Sequence, residues 1–237
     1  MGAGLFVKIG AVVLANCTLV SNSVAGGEGG PYGFPQMLGF TVNGDHGDAY
    51  GGGIYNYQGT VTLLNSCVAG NSAYTGSDLT GAFVSSGHNL IGNNEGATNL
   101  SILDLQNVPA NLGPLQDNGG PTLTCAPLQG SPAIDNANST GAPGTDQRGV
   151  PRPQGAVVDI GALEAVTGSP LMTDAAMLGS GFYLTTILDA TNSYRLQGST
   201  TLTNWIDLTN YATGGSQRFV DSTATNLNRR FYRTAAP

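Results

Sequence analysis

Basic residues are few: the 237-residue chain holds eight, Lys8 is its single lysine, and no arginine precedes Arg148. Nucleic acids and anionic membranes are gripped by clustered Lys and Arg, so neither is expected as a partner. Cysteine is scarce too. Three thiols, Cys17, Cys67 and Cys125, cannot all pair with one another, and no CxxC or Cys/His spacing outlines a zinc site. The fold is therefore expected to stand without a disulfide or zinc framework. No apolar run reaches the roughly 18 residues of a membrane helix, so no transmembrane segment is expected. With two histidines, His46 and His88, the choice of catalytic bases is narrow.

What the chain has instead is glycine, 36 residues, beside 40% hydrophobic and only 10% charged residues. Glycine at this level without a three-residue period means many tight turns, and the hydrophobic content argues for a folded chain. The net charge of −7 is unevenly spread: up to residue 165 there are eleven acids and three bases, and after it four acids and five bases. The N-terminal "MGAGLFVKIGAVVLANC" imitates a leader peptide, but its lysine falls inside the apolar run and the segment aligns as a repeat unit. The chain is thus expected to begin inside a longer polypeptide, with an unpaired apolar sheet edge at its N-terminal end.

The repeat is the most informative feature. At an offset of 49 residues, Gly2, Gly4, Gly10, Val12, Leu14, Asn16, Asn22 and Ser23 match Gly51, Gly53, Gly59, Val61, Leu63, Asn65, Asn71 and Ser72, and Phe6 falls on Tyr55. The shared pattern is V-x-L-x-N-x-x-[LV]-x-x-N. Alternating Val and Leu is the period of a half-buried strand, and an Asn at each end marks a turn. Helix is disfavoured because Gly and Asn interrupt every six to eight residues. Single strands of this kind cannot bury their apolar side alone, so similar units must stack in parallel, Val over Val and Asn over Asn. Asn16, Asn65, Asn22 and Asn71 are therefore assigned structural roles, bonding the backbone of neighbouring coils. The 49-residue spacing reads as two coils of about 24 residues each, given solenoid repeats of roughly 20 to 45.

The segments "GGGIYNYQGTVTLLNSCVAGNSA" (51–73), "SSGHNLIGN" (85–93), "LGPLQDNGGPTLTCAPLQGSPAID" (112–135) and "TDQRGVPRPQGAVVDIGALE" (145–164) resemble bacterial right-handed parallel β-helix proteins of the polymorphic outer membrane protein and choice-of-anchor type. The resemblance implies a secreted or cell-surface passenger, extracellular in location, whose β-helix closes near VDIGALE. The residues agree with closure there, because 109–153 hold eight of the twelve prolines, which suit an irregular cap. Asp146, Arg148, Arg152, Asp159 and Glu164 are expected to pair across that cap, a structural use that fits Arg148 and Asp159 better than catalysis or metal binding.

Beyond residue 165 the repeat stops. "FYLTTIL", "SYRLQGS", "NWIDLT", "QRFVDS" and "RRFYRT" read as short strands of a small antiparallel sandwich with Trp205, Phe219 and Phe231 in its core. Their order is similar to C-terminal modules of secreted bacterial proteins, which implies an accessory domain. The expected organisation is an all-β chain: a right-handed parallel β-helix (solenoid) over 1–165, its cap over about 110–165, a linker at 166–172 and a small antiparallel β-sandwich over 173–237.

Few residues suggest chemistry. "NGDHGDAYGGG" gathers Asp45, His46 and Asp48 in a Gly-rich loop, and calcium is the one cofactor whose oxygen-ligand chemistry suits Asp45 and Asp48. The loop lacks the alternating Gly/Asp register of calcium-binding solenoid repeats, so a solvated insertion is the competing reading. His88 in "SGHNLIG" reads as a turn residue. Glycoside hydrolysis needs a spaced carboxylate pair, and β-elimination needs a cationic base near calcium. Neither set is visible. The expected function is a non-enzymatic, adhesin-like or structural surface protein whose loops meet glycans or other cell-surface components. The alternative is a carbohydrate-active enzyme, lyase or hydrolase, whose catalytic coils lie mainly upstream.

Overall fold

A computed structural model of the chain describes residues 4–28, 47–166, 171–179, 181–188, 193–211 and 215–235. The described residues are all-β, with both parallel and antiparallel sheets and no α-helix. No helix among them is long and apolar enough to cross a membrane. The chain divides into two compact units, residues 1–110 with 160–162, and residues 111–159 with 163–237.

The first unit consists of very short strands: β1 (Leu5–Val7), β2 (Ala11–Ala15), β3 (Thr18–Val20), β4 (Ile54–Asn56), β5 (Thr60–Leu64), β6 (Cys67–Ala69), β7 (Leu79–Ala82), β8 (Val84–Ser85), β9 (Leu90–Ile91), β10 (Ala97–Thr98) and β11 (Leu105–Gln106). They form three parallel sheets, β1-β4-β7-β10, β2-β5-β8 and β3-β6-β9-β11, which strands β1 to β10 visit in turn before β11 joins the third. The alternation in sequence explains the packing. In β5, Val61 and Leu63 point inward and are fully buried, while Thr60 is exposed. They join Val7, Ile54, Val68, Leu79, Phe83 and Ile91 in one apolar cluster.

The register reproduces the repeat. Val12 pairs with Val61, Leu14 with Leu63, Phe6 with Tyr55 and Leu19 with Val68, all in parallel. The 49-residue step is nevertheless one step between hydrogen-bonded neighbours, not two coils. Later steps are shorter: Ile54 pairs with Leu79 and Thr62 with Val84. A parallel ladder fixes only which strands lie side by side, and connection length is nearly free to vary. Glycine recurs at Gly4 and Gly53 because the backbones touch there. A Cβ on Gly4 would lie 2.6 Å from the Gly53 carbonyl oxygen, and one on Gly53 2.6 Å from that of Asp78.

Polar side chains tie one repeat to the next. Asn16, Asn65 and His88 hold the corner in the left-handed region at φ 51°, 49° and 57°, a conformation that Asn and His adopt more readily than branched residues. The Asn16 N–H donates to the Leu64 carbonyl. The next residues along make a ladder. The Cys17 N–H donates to Ser66 Oγ, the Ser66 N–H to Asn89 Oδ1 and the Asn89 N–H to Asp104 Oδ1. A second ladder runs beside β3 and β6. Asn71 Oδ1 accepts from both the N–H and the Nδ2 of Asn22 at 2.9 Å, and Asn71 Nδ2 donates to the Leu19 carbonyl and to Asp78 Oδ1. Both ladders end on a buried carboxylate. Residues 160–162 belong to this unit through the Gly161 N–H on the Asn65 carbonyl and the Ala162 N–H on Thr18 Oγ1. Cys17 and Cys67 form no disulfide, Cys67 standing in register with Thr18.

In the second unit, residues 111–159 carry isolated antiparallel bridges, Leu112 to Pro127, Gln116 to Thr124 and Thr145 to Pro151. The proline content explains why regular ladders do not extend there. Six longer strands follow: β12 (Leu171–Leu178), β13 (Gly181–Leu188), β14 (Tyr194–Ser199), β15 (Ile206–Tyr211), β16 (Gly215–Asp221) and β17 (Phe231–Ala235). They form two antiparallel sheets, β12-β13-β16 and β15-β14-β17. Strand β12 starts within the stretch read as a linker. The shared core is Leu184, Leu188, Tyr194, Leu196 and Tyr211, with Phe182, Phe219 and Tyr232 packed against it. Trp205 and Phe231, expected in this core, are not part of it. Phe231 pairs with Ser199 on the opposite face from Leu196, and Trp205 lies before β15 beneath an arginine.

Replacing Asn71 strands an amide donor pair, a carbonyl and a carboxylate at once. Asn71→Ala should cost about 2–4 kcal/mol in urea unfolding. Asn71→Asp sets a second carboxylate against Asp78, so its cost should be larger at pH 7 than at pH 4.

Candidate binding surface

Strand alternation also decides what faces outward. In β1, Leu5 and Val7 turn inward and leave Phe6 outside. In β4, Ile54 and Asn56 are buried and Tyr55 points out. Because Phe6 and Tyr55 are register partners, their rings meet at 5.3 Å between centroids. Tyr55 is the hub of a larger group: Tyr50 lies 5.5 Å from it, tilted, and Tyr57 6.1 Å, edge-on. Offset and edge-to-face rings at such spacings attract one another and need no polar partner. Phe6 is 40% exposed and Tyr57 54%. The next register partner of Tyr55 is Thr80, where the aromatic run ends.

One acidic group borders these rings. The Tyr50 hydroxyl donates to Asp48, whose negative charge, followed by burial, raises the tyrosine's pKa above its usual value. Asp48 is exposed. Its companions in the expected calcium loop, Asp45 and His46, lie outside the described residues. Calcium takes about six to eight oxygen ligands, and the described part of the loop supplies one carboxylate that already holds a phenol. Among the described residues no group of three or more His, Cys, Asp or Glu side chains is placed to share a metal ion. His88 stands at a left-handed corner, flanked by buried Gly87 and Asn89.

The five charged residues of 146–164 do come together. Arg148 grips Asp146 through Nε and a terminal nitrogen at 2.9 and 2.7 Å, and Arg152 meets Glu164 at 3.0 Å, all with side chains at most 4% exposed. Glu164 further accepts the N–H groups of Gln154 and Asp159, and Asp159 accepts those of Asp135 and Ala165. Every acid is thereby held by backbone donors or a guanidinium, and Asp146, Asp159 and Glu164 are buried. This arrangement ties an irregular segment together.

No protein family, curated protein or solved structure matches the chain. The candidate site thus stands on geometry. Sequence reading registered the Phe6 and Tyr55 match as one more similarity in the repeat. The signal that the pair is a surface was available in the flanks, since Leu5, Val7, Ile54 and Asn56 occupy the inward parity.

Folding alters the protonation of Asp159. Burial pushes its pKa from 3.8 to about 6, against the two N–H bonds that favour the anion, and neighbouring Glu164 and Asp135 add to the rise. The folded chain therefore holds a proton between about pH 4 and 6 that the unfolded chain has released, so this residue's contribution falls as pH rises through that window. The loss amounts to about 3 kcal/mol at most. Asp159→Asn should destabilise the protein at pH 4 and remove this decline, as read from urea midpoints between pH 4 and 7.

Proposed function

We propose that the protein is a non-enzymatic, extracellular glycan-binding scaffold, and that Phe6, Tyr50, Tyr55 and Tyr57 form its platform for a neutral polysaccharide. In this reading residues 1–165 are a right-handed parallel β-helix with its cap, and the C-terminal strands are a small β-sandwich. The observation that carries the proposal is the group of four aromatic rings on the outward side of a rigid parallel sheet. Aromatic faces exposed together in water mark a recognition surface, and the apolar C–H face of a pyranose is a natural complement.

Charge selects among ligands that stack. Nucleobases also lie flat on tyrosine, but their phosphates require cations. Residues 1–110 contain six acids and one base. A neutral glycan meets no such repulsion, and Asp48 supplies an acceptor for its hydroxyls. The similarity of the repeat and of the VDIGALE segment to bacterial surface passengers supports an extracellular location and cell-surface partners.

Affinity electrophoresis and calorimetry against a panel of neutral polysaccharides test the proposal. At least one should bind, and Tyr55→Ala should weaken it about tenfold or more while circular dichroism stays unchanged. The same incubations should release neither reducing ends nor unsaturated sugars. Binding indifferent to Tyr55→Ala, or bond cleavage, would overturn the reading.

A further inference from the structure

A different surface lies on the outer face of the sheet β15-β14-β17. Tyr194 and Leu196 of β14 enter the core, so Arg195 and Gln197 take the other face. Register sets Gln197 between Asp207 and Arg233. Gln197 Nε2 donates to Asp207 Oδ1 at 2.6 Å, Arg233 Nε donates to Gln197 Oε1 at 2.8 Å, and Arg195 pairs with Asp207 at 3.4 Å. The Arg233 guanidinium lies 4.3 Å over the Trp205 ring.

The indole is held rather than merely exposed. Its Nε1–H donates to the Leu202 carbonyl at 3.0 Å, so its one polar group is satisfied within the turn. Leu202 itself has φ +69°, a region that bulky L-residues seldom adopt. Ser199 Oγ stabilises that turn by accepting the N–H groups of Thr201 and Leu202. Strain kept in place by surrounding bonds, at a residue that fixes an aromatic ring, is characteristic of preorganised ligand sites. The terminal nitrogens of Arg233 have no hydrogen-bond partner within the protein among the described residues.

The distribution of cations identifies the ligand. Arg148 and Arg152 are sealed in ion pairs, Arg230 pairs with Asp221 at 3.1 Å and Arg218 lies over Tyr183, whereas Arg195 and Arg233 belong to this face. We infer that this face binds the carboxylated pyranose of an acidic polysaccharide, with Trp205 and Arg233 framing the sugar and the guanidinium groups of Arg233 and Arg195 meeting its carboxylate. A planar guanidinium matches a carboxylate in two parallel hydrogen bonds, which a hydroxyl cannot offer.

The test uses the full chain with polygalacturonate, its methyl-esterified counterpart and single-stranded DNA, compared by affinity electrophoresis and calorimetry at low salt. Polygalacturonate should bind, esterification should weaken it at least tenfold, and an excess of neutral glycan should not displace it. Arg233→Gln should lower the affinity about tenfold and Arg195→Gln about threefold, both with unchanged circular dichroism, since these side chains lie outside the core. Equal binding of the ester, indifference to Arg233→Gln, or a preference for single-stranded DNA would each overturn the inference.

Discussion

The first unit depends on one constraint: a buried backbone N–H at each corner must find an acceptor in the neighbouring repeat. Ser66, Asn89 and Asp104 provide it in one column and Asn71 and Asp78 in the other. Strands of two to five residues offer too few ladder bonds to fix their own register. The side-chain columns fix it for them. A slip by one residue would set apolar groups against corner amides and turn Val61 and Leu63 toward water. Ending each column on a carboxylate gives the last N–H donors an acceptor that needs no proton of its own.

Once register is secured inside, the outside is free to vary. Outward positions of β1 and β4 carry rings, while those of β2 and β5 carry Val13 and Thr62. The platform around Tyr55 is therefore a consequence of parallel stacking: the register that superposes Leu5 on Ile54 also brings Phe6 to Tyr55. Rigidity follows from the same source, because the backbone beneath the rings is bonded on both sides of β4. The second unit solves a different problem. Its sheets are long enough to hold register by backbone pairing, so polar side chains on the outer face are released from structural duty. Arg233 can then lie over Trp205.

Particular residues show how far sequence reading reaches. Val12 over Val61 and Asn22 beside Asn71 were legible because identical residues stack in identical surroundings. The buried pairs Arg148–Asp146 and Arg152–Glu164 were legible from charge, whereas Asp159, expected to pair likewise, is held by backbone N–H groups beside two other carboxylates. Asp78 and Asp104 were not, since each lies off the repeat and is brought to its column by a loop. Trp205 was misassigned to the core because aromatic character predicts burial on average and says nothing about which side of an edge strand a turn will choose. The 49-residue step was halved for a similar reason: spacing along the chain does not report which strands are neighbours.

By itself, then, the sequence determined parity and period: which side chains alternate inward and where Asn or Gly must turn the backbone. Those are local properties, set by the stereochemistry and charge of each residue and its nearest neighbours. Only the tertiary structure decided which strands lie side by side, which carboxylate closes each amide column, and which rings and guanidinium groups share a face. Such pairings join residues tens of positions apart, and the energy that selects one partner over another arises only when water has been excluded between them.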